Sequence, residues 1–254
     1  MYKNRLIPCL LLRDHGIIKT HKFKKSRYLG DPINAVKIYN DKEVDELIFL
    51  DIDATRHHRE PDFEYLKKIT EQCFMPLCYG GGISTIDQIR MLFEIGFEKV
   101  SINSTAFYNP NLIREASNIF GAQSIVGAMD VKTLRDGNKC VFLHNARKNI
   151  HKSAVEYAVY LESLGVGEIF LNSIDRDGEM TGMDYDLIHR LSQCVSVPII
   201  ASGGAGKVED CVKAVQYGAS AAAAGSLFVF WGRNKAVLIN YPDKDITNKL
   251  FEHI

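Results

Sequence analysis

The chain has 254 residues, with 31 Lys and Arg balanced by 31 Asp and Glu. This balance argues against a nucleic-acid partner, because proteins that bind nucleic acids usually have a strongly basic surface. A composition of 46% apolar and 24% charged residues excludes a disordered chain. No apolar stretch reaches the roughly 18 residues of a membrane span, so we expect a cytoplasmic protein. Six scattered cysteines without metal-ligand spacing predict reduced thiols and no metal site. We expect no cofactor.

Short β-branched runs alternate with segments of helical period along the whole chain. Strands are predicted at 5–12, 46–53, 76–80, 99–103, 124–130, 168–173, 198–202 and 221–225. Amphipathic helices are predicted at 32–42, 62–72, 85–95, 111–120, 153–164, 184–193 and 208–217. Eight such strand and helix units in about 250 residues predict a single (β/α)8 TIM barrel, an α/β fold.

A repeat with a constant offset of 122 residues runs through the chain. The identical pairs are Glu46/Glu168, Asp53/Asp175, Pro76/Pro198, Gly81/Gly203, Gly82/Gly204, Gly96/Gly218 and Ser104/Ser226. They predict two duplicated half-barrels, about 1–122 and 123–245, with a C-terminal tail at 246–254, within one domain spanning 1–254. The competing fold, a doubly wound open sheet, usually has G-x-G-x-x-G after its first strand, and that motif is missing after Leu12.

Glycine pairs follow two predicted strands that the repeat relates. The active site of a barrel lies at the carboxyl ends of its strands, where glycines let backbone N–H groups approach an anion. Gly81-Gly82 with Asn103-Ser104 predicts one phosphate cradle. The second is predicted at Gly203-Gly204, directly after Ser202, with Gly225-Ser226. Two cradles indicate a substrate with a phosphate at each end.

Acidic residues stand at two other strand ends. Asp130 ends the fifth predicted strand and is either a general acid or base in the barrel mouth or a solvated strand-end carboxylate. Asp175 and Asp177 flank Arg176, and this trio either holds a loop by ion pairing or takes part in the chemistry.

Charged residues of alternating sign stand at the opposite ends of four predicted strands. They are Arg5, Glu46, Lys99 and Glu168. The pattern indicates either ion pairs that plug the bottom of the barrel or a gated entrance to its interior.

The sequence resembles the cyclase subunit of imidazole glycerol phosphate synthase, the HisF family, over nearly its whole length. The resemblance is carried by Arg5-Leu6-Ile7-Pro8-Cys9-Leu10, Gly16-Ile17-Ile18-Lys19, Gly30-Asp31-Pro32, Asp45-Glu46-Leu47-Ile48-Phe49-Leu50-Asp51-Ile52, Gly80-Gly81-Gly82-Ile83, Lys99-Val100-Ser101-Ile102-Asn103, Ser173-Ile174-Asp175-Arg176-Asp177-Gly178 and Ala201-Ser202-Gly203-Gly204-Ala205-Gly206-Lys207.

The resemblance implies a division of labour between the two ends of the barrel. A glutaminase subunit docks at the amino-terminal face and releases ammonia, which enters through the charged residues. Ammonia then attacks a bis-phosphorylated ribulosyl formimino nucleotide, giving imidazole glycerol phosphate and an aminoimidazole carboxamide nucleotide. Lys19 is implied to be a mobile lysine on a long first βα-loop. The implied phosphate and substrate residues are Gly82, Asn103, Ser104, Asp177, Gly178, Ser202, Gly204, Gly225 and Ser226.

One departure from the family pattern affects the chemistry directly. The family uses two carboxylates, in Cys-Leu-Asp and Asp-x-Lys motifs. The chain keeps the second as Asp130-Val131-Lys132, but the first reads Cys9-Leu10-Leu11. Leucine transfers no proton, and loss of a positioned acid or base typically costs 10²–10⁴-fold in rate.

Other departures point in the same direction. His144-Asn145 replaces small Ser-Gly residues, and 227–230 lacks the usual histidine. The segment 237–242 resembles a paralogous group found with surface-polysaccharide genes. That group is implicated, with a glutaminase and a third protein of the ATP-dependent amidotransferase type, in acetamidino or amide modification of a sugar.

Three hypotheses about function follow. The first is an ammonia-delivering synthase subunit specialised for sugar amidation in lipopolysaccharide biosynthesis. The second is a histidine-pathway cyclase in which Asp14 or Asp51 covers the role lost at Leu11. The third is a non-catalytic scaffold that activates its glutaminase and conducts ammonia to another protein.

Overall fold

The computed structural model describes residues 4–251. Residues 1–3 of the predicted first half-barrel and residues 252–254 of the predicted tail lie outside the described residues.

Strands and helices alternate through the described chain. The strands are β1 (Arg5–Arg13), β2 (Gly16–Thr20), β3 (Ser26–Gly30), β4 (Leu47–Asp51), β5 (Leu77–Gly80), β6 (Lys99–Ile102), β7 (Ile125–Thr133), β8 (Lys139–Leu143), β9 (Lys148–Ser153), β10 (Glu168–Ser173), β11 (Ile199–Ser202), β12 (Ala221–Ala224), β13 (Phe230–Trp231) and β14 (Ala236–Val237). The helices are α1 (Pro32–Asp41), α2 (Phe63–Thr70), α3 (Ile86–Glu94), α4 (Ser104–Tyr108), α5 (Pro110–Phe120), α6 (Ala154–Ser163), α7 (Tyr185–Ser192), α8 (Val208–Gln216), α9 (Ser226–Val229) and α10 (Lys244–Phe251).

Eight of these strands close into a parallel barrel. They pair in the order β1, β4, β5, β6, β7, β10, β11, β12, and β12 returns to β1 with Arg5 opposite Ala221. Helices cover the outside of the sheet and bury an extensive apolar layer against it. The predicted (β/α)8 barrel is therefore confirmed.

The predicted helices are also confirmed, with small shifts at their ends. Asp62, Thr85, Ser153 and Asp184, predicted as first helical residues, each accept a backbone N–H from within the first turn and are N-caps. The periodicity of the apolar residues located these helices, and the caps determine where they start.

Two β-hairpins extend the barrel and were missed by the sequence analysis. β2 and β3 follow β1, and β8 and β9 follow β7, all in antiparallel register. The partially exposed residues of β3 and β9 look like a polar loop in the sequence. Lys19 consequently lies on strand β2, rather than on an open loop. The repeat offset recurs here, because β3 begins at residue 26 and β9 at residue 148.

The inside of the barrel is filled by apolar side chains. Alternate residues of the strands point inward, and the buried ones are Ile7, Cys9, Ile48, Cys78, Val126, Ala128, Phe170, Ile200, Ala221 and Ala223. Several are small. This layer separates the two ends of the barrel, so a polar site at either end is built independently of the other.

The carboxyl-terminal segment returns to the amino-terminal end of β1. Tyr241 is buried, and its hydroxyl donates to the Leu6 carbonyl at 3.0 Å. Helix α10 begins at Lys244, so the predicted tail starts within a helix. None of the helices in residues 4–251 is long and apolar enough to span a membrane.

Candidate active site

A cavity of about 220 Å³ lies at the carboxyl ends of the barrel strands. The barrel brings together at this cavity every predicted catalytic, phosphate and substrate residue, although these positions are spread over more than 200 residues of sequence. They are Leu11, Lys19, Gly82, Asn103, Ser104, Asp130, Asp177, Gly178, Ser202, Gly204, Gly225 and Ser226.

Asp130 lies at the end of the parallel part of β7 and is held by two amides. Asn103 Nδ2 donates to Asp130 Oδ2 at 2.8 Å, and Asn172 Nδ2 lies 3.4 Å from Oδ1. Burial raises the pKa of the Asp130 carboxyl to about 7, against the lowering effect of the two amides, and the negative charge of Asp177 adds to the rise. Asp130 therefore exchanges a proton readily near neutral pH.

Leu11 lies on β1 and borders the cavity, at the position where the family that the sequence resembles has its other carboxylate. Asp51, on the adjacent strand β4, also lines the cavity. Its Oδ1 accepts the N–H groups of Asp53 and Ala54 at 3.0 and 2.9 Å. Burial raises the Asp51 pKa despite these two bonds. Asp14, the other suggested substitute, is an exposed turn residue outside the cavity lining, so only Asp51 stands where it could replace the missing acid.

Lys19 is tied down rather than free. It is buried, and its Nζ pairs with Asp177 Oδ1 at 2.5 Å. Thr20 Oγ1 and the Phe23 N–H donate to Asp177 Oδ2 at 2.8 and 3.3 Å. The Asp177 carboxylate thus anchors the β2–β3 hairpin over the cavity, and a phosphate contact from Asp177 stays a prediction.

The two glycine pairs form tight turns against neighbouring backbone. Gly82 (φ +71) and Gly204 (φ +102) have left-handed conformations, and a Cβ atom would come within 2.4 Å of the Arg59 carbonyl or 2.3 Å of the Gly182 carbonyl. Short helices α4 and α9 start beside them, at Ser104 and Ser226. The Ser226 Oγ is buried and has no hydrogen-bond partner among residues 4–251. The Lys19 side chain passes Gly225, its Cε 3.1 Å from where a Cβ would be.

Asp175 and Arg176 lie outside the cavity lining. Asp175 Oδ2 accepts the Thr133 N–H at 2.7 Å, and Arg176 Nη1 donates to the Gly182 carbonyl at 3.0 Å. The ion pairing expected within this trio is absent among the described contacts, since Asp177 pairs with Lys19 instead. Asp175 and Arg176 hold the loop through backbone hydrogen bonds.

The four predicted charged residues form a closed ring at the amino-terminal end of the barrel. Lys99 Nζ lies 3.1 Å from Glu46 Oε2 and 2.9 Å from Glu168 Oε2. Arg5 also bridges both carboxylates, with Nη2 2.6 Å from Glu168 Oε1 and Nη1 bound to Glu46. Burial disfavours the charge on Arg5, but the two glutamates outweigh it and raise the guanidinium pKa. Each charge in the ring is compensated by two opposite ones.

Sequence reasoning did not assign roles to several residues of the cavity. Asn172 supports Asp130, Thr20 supports Asp177, and His144 borders the cavity. Asn172 was visible as a polar residue near the end of a predicted strand, whereas Thr20 and His144 depend on hairpins that were missed. Among residues 4–251, there is no group of three His, Cys, Asp or Glu side chains that could hold a metal ion.

Comparisons with known proteins agree with this architecture. Residues 5–233 match the family described as "Histidine biosynthesis protein". The chain is 51% identical to a Pseudomonas aeruginosa protein named provisionally as imidazole glycerol phosphate synthase subunit hisF2, covering 98% of this chain and 99% of that protein. A Vibrio vulnificus protein, named provisionally as subunit hisF3, is 47% identical, covering 99% of this chain and 98% of that protein. The imidazole glycerol phosphate synthase subunit HisF of Alkaliphilus metalliredigens is 43% identical, covering 90% of this chain and 91% of that protein.

Replacing Asp130 should make the protein more stable in a pH-dependent way. Because the folded pKa is raised, the folded state binds the proton more tightly than the unfolded chain, and ionisation costs stability as pH rises from about 4 to about 7. Asp130→Asn removes this cost. We expect a gain of about 4 kcal/mol in the free energy of unfolding above pH 7 and little gain at pH 4. Urea titrations at several pH values measure the gain, with exposed Asp41→Asn as control. A gain independent of pH would contradict the assignment.

Breaking the charged ring should be costly. Lys99→Ala leaves Glu46 and Glu168, whose side chains are 3% and 11% exposed, with Arg5 as the one cation of the ring. We expect a loss of about 2–3 kcal/mol because removing one partner strands buried charge. Lys99→Arg should recover part of it, and Glu98→Ala, an exposed neighbour, should change little. Equal urea midpoints for wild type and Lys99→Ala would refute a structural role for the ring.

Proposed function

The chain belongs to the histidine biosynthesis protein family as a HisF-type cyclase subunit of imidazole glycerol phosphate synthase, and on that premise we propose that its barrel receives ammonia at one end and uses it at the other. The observation that carries this proposal is the arrangement along the barrel axis. A closed ring of charge occupies the amino-terminal end, and an acid–base cavity occupies the carboxyl end. Apolar side chains fill the space between them.

The apolar interior suits a small neutral reactant. Ammonia crosses such a layer as the uncharged molecule, whereas ammonium would have to enter a low-dielectric space without a partner. Small side chains such as Ala128, Ala221 and Ala223 occupy little of the space through which ammonia would pass. The ring of Arg5, Glu46, Lys99 and Glu168 would open at the base of this path by exchanging ion pairs, so we assign it as the ammonia gate.

The cavity suits a ligand with a phosphate at each end. Gly82 with Asn103 and Ser104 forms the first candidate cradle. The second combines Gly204, Gly225 and Ser226. Here anion binding is supported by the nearby Lys19 side chain and by the buried Ser226 Oγ, which has no hydrogen-bond partner in the described part of the chain. Gly178 and Ser202 border the same space. A bis-phosphorylated, nucleotide-like substrate is the class that we infer.

Asp130 is the general acid or base that we assign to this cavity. Its pKa of about 7 supplies both protonation states at neutral pH. Asn103 and Asn172 fix the orientation of its carboxylate. Leu11 contributes only apolar surface, so the reaction runs with one carboxylate at the two family positions.

The finer identity that we propose is a paralogue serving acetamidino or amide modification of a surface-glycan sugar. HisF subunits work with a HisH glutaminase, and we infer that such a partner docks on the amino-terminal face, next to the ring. A third protein, an amidotransferase, would then use the ammonia or the product. This proposal is supported by two features of the sequence. Leucine stands at position 11, where the family has an acid, whereas all four ring residues are present. The alternative is an authentic histidine-biosynthesis cyclase, favoured by Asp51, a cavity carboxylate with a raised pKa.

Restoring the missing acid tests these alternatives. We expect the purified protein, supplied with saturating ammonium salt at alkaline pH, to turn over the ribulosyl formimino nucleotide slowly or not at all. Leu11→Asp should raise turnover about 10²-fold, in the range of one recovered acid or base. Leu11→Asn, of the same size but unable to transfer a proton, is the matched control.

The possible results separate the candidate functions. Fast wild-type turnover would contradict the paralogue and support a histidine-pathway cyclase, in which Asp51→Asn should then abolish the activity. No turnover by Leu11→Asp, combined with no binding of the nucleotide, would contradict the proposed substrate class and favour an ammonia conduit without chemistry of its own.

Lys99 provides a test of the gate in the Leu11→Asp background. With a HisH-type glutaminase added, Lys99→Ala should lower glutamine-dependent turnover while ammonium-dependent turnover is kept, because only the former requires transfer through the ring. Glu98→Ala should preserve both activities. A proportional loss of both activities in Lys99→Ala would show damage to the fold instead of to the gate.

A further inference from the structure

Three side chains form a hydrogen-bonded row at the rim of the cavity. Lys148 Nζ donates to the Tyr108 hydroxyl at 3.0 Å, and the same hydroxyl lies 2.9 Å from His144 Nε2. Tyr108 ends helix α4, whereas His144 and Lys148 belong to the β8–β9 hairpin. Of the three residues, only His144 borders the cavity. The row therefore connects the cavity with two exposed side chains outside it.

The backbone that carries His144 is held in an unfavourable conformation. His144, Asn145 and Ala146 have positive φ angles of 54°, 56° and 64°, which non-glycine residues rarely adopt in succession. Asn145 Nδ2 donates to the Ile52 carbonyl at 2.8 Å and ties this turn to the loop after β4. The Arg147 N–H donates back to the Leu143 carbonyl. The turn is thus maintained by specific contacts that keep His144 at the cavity.

The row is compatible with a His144 that carries its proton on Nδ1. A lysine ammonium only donates, so the Tyr108 oxygen accepts from Lys148. We assign the phenolic proton of Tyr108 to the bond with His144 Nε2, and a neutral imidazole that accepts at Nε2 carries its proton on Nδ1. Burial, followed by the charges of Lys148 and His58, lowers the His144 pKa, which favours the neutral ring.

We propose that His144 is a ligand-contacting proton donor of the cavity and that Tyr108 and Lys148 are positioning residues that supply its proton. The ligand presents an acceptor atom, a carbonyl or phosphoryl oxygen or a leaving nitrogen, to His144 Nδ1–H. When that proton moves to the ligand, Nε2 takes the Tyr108 proton, and Tyr108 takes one from the Lys148 ammonium, which solvent reprotonates. The row thus adds to the cavity a proton donor besides Asp130. The inference rests on the proposed function, because it takes the cavity to be the reaction site.

The first test reads the tautomer of His144 directly. Long-range ¹⁵N spectra of the imidazoles in the full chain, with His144→Gln for assignment, should show a neutral His144 with its proton on Nδ1 at pH 7. Tyr108→Phe should shift the population towards the Nε2–H tautomer and leave the spectrum of exposed His189 unchanged. A His144 protonated on Nε2 in the wild type, or one insensitive to Tyr108→Phe, would overturn the proposal.

The second test adds the ribulosyl formimino nucleotide as a probe and follows the same resonances with the amides of Gly82 and Gly204. The expected result is movement of the His144 Nδ1 signal together with both glycine amides. Movement of the glycine amides without His144 would overturn the contact proposed here and leave the proposed function intact. If neither glycine amide moves, the proposed substrate class fails, and the tautomer experiment still decides whether the row exists.

Discussion

Pairing of β12 with β1, from Arg5 opposite Ala221 to Pro8 opposite Ala224, closes the sheet, and the functional features of the molecule depend on that closure. In an open sheet, the strands that carry Arg5 and Glu168 would lie apart and the ring could not form. Closure also brings Leu11, Asp130 and Ser226 to the same cavity. Because all eight barrel strands are parallel, their amino ends share one face and their carboxyl ends the other.

Buried charge is tolerated at both ends of the barrel by different means. In the ring, two cations and two carboxylates bridge one another, so no charge is left with a single partner. Asp130 is held by two amides instead of a cation, and burial raises its pKa towards neutrality. The first arrangement suits a closure that opens by exchanging partners, and the second suits a group that exchanges protons. Asp177 follows the first principle, since Lys19 compensates its charge and thereby fixes a hairpin over the cavity.

The two hairpins after β1 and β7 bring further polar side chains to the rim. The β2–β3 hairpin supplies Lys19 and Thr20, and the β8–β9 hairpin supplies His144. Neither hairpin contributes a strand to the closed barrel, so side chains at its tip can differ without changing the pairing of the barrel strands. The proposed row of Lys148, Tyr108 and His144 uses this freedom without disturbing the barrel strands.

The sequence by itself determined the barrel, because the periodicity of apolar residues and the 122-residue offset can both be read from the sequence without any tertiary contact. It also located the two strand-end glycine pairs and the ring residues, since strand ends can be read from the chain. Tertiary structure alone decided which side chains meet. Asp130 meets its amide partners, and Lys19 meets Asp177, through contacts between distant segments of the chain. The fold also leaves Asp14 and Asp175 outside the cavity lining. Such contacts depend on the register of the hairpins and the closure of the sheet, and residue types at a given spacing do not encode either one.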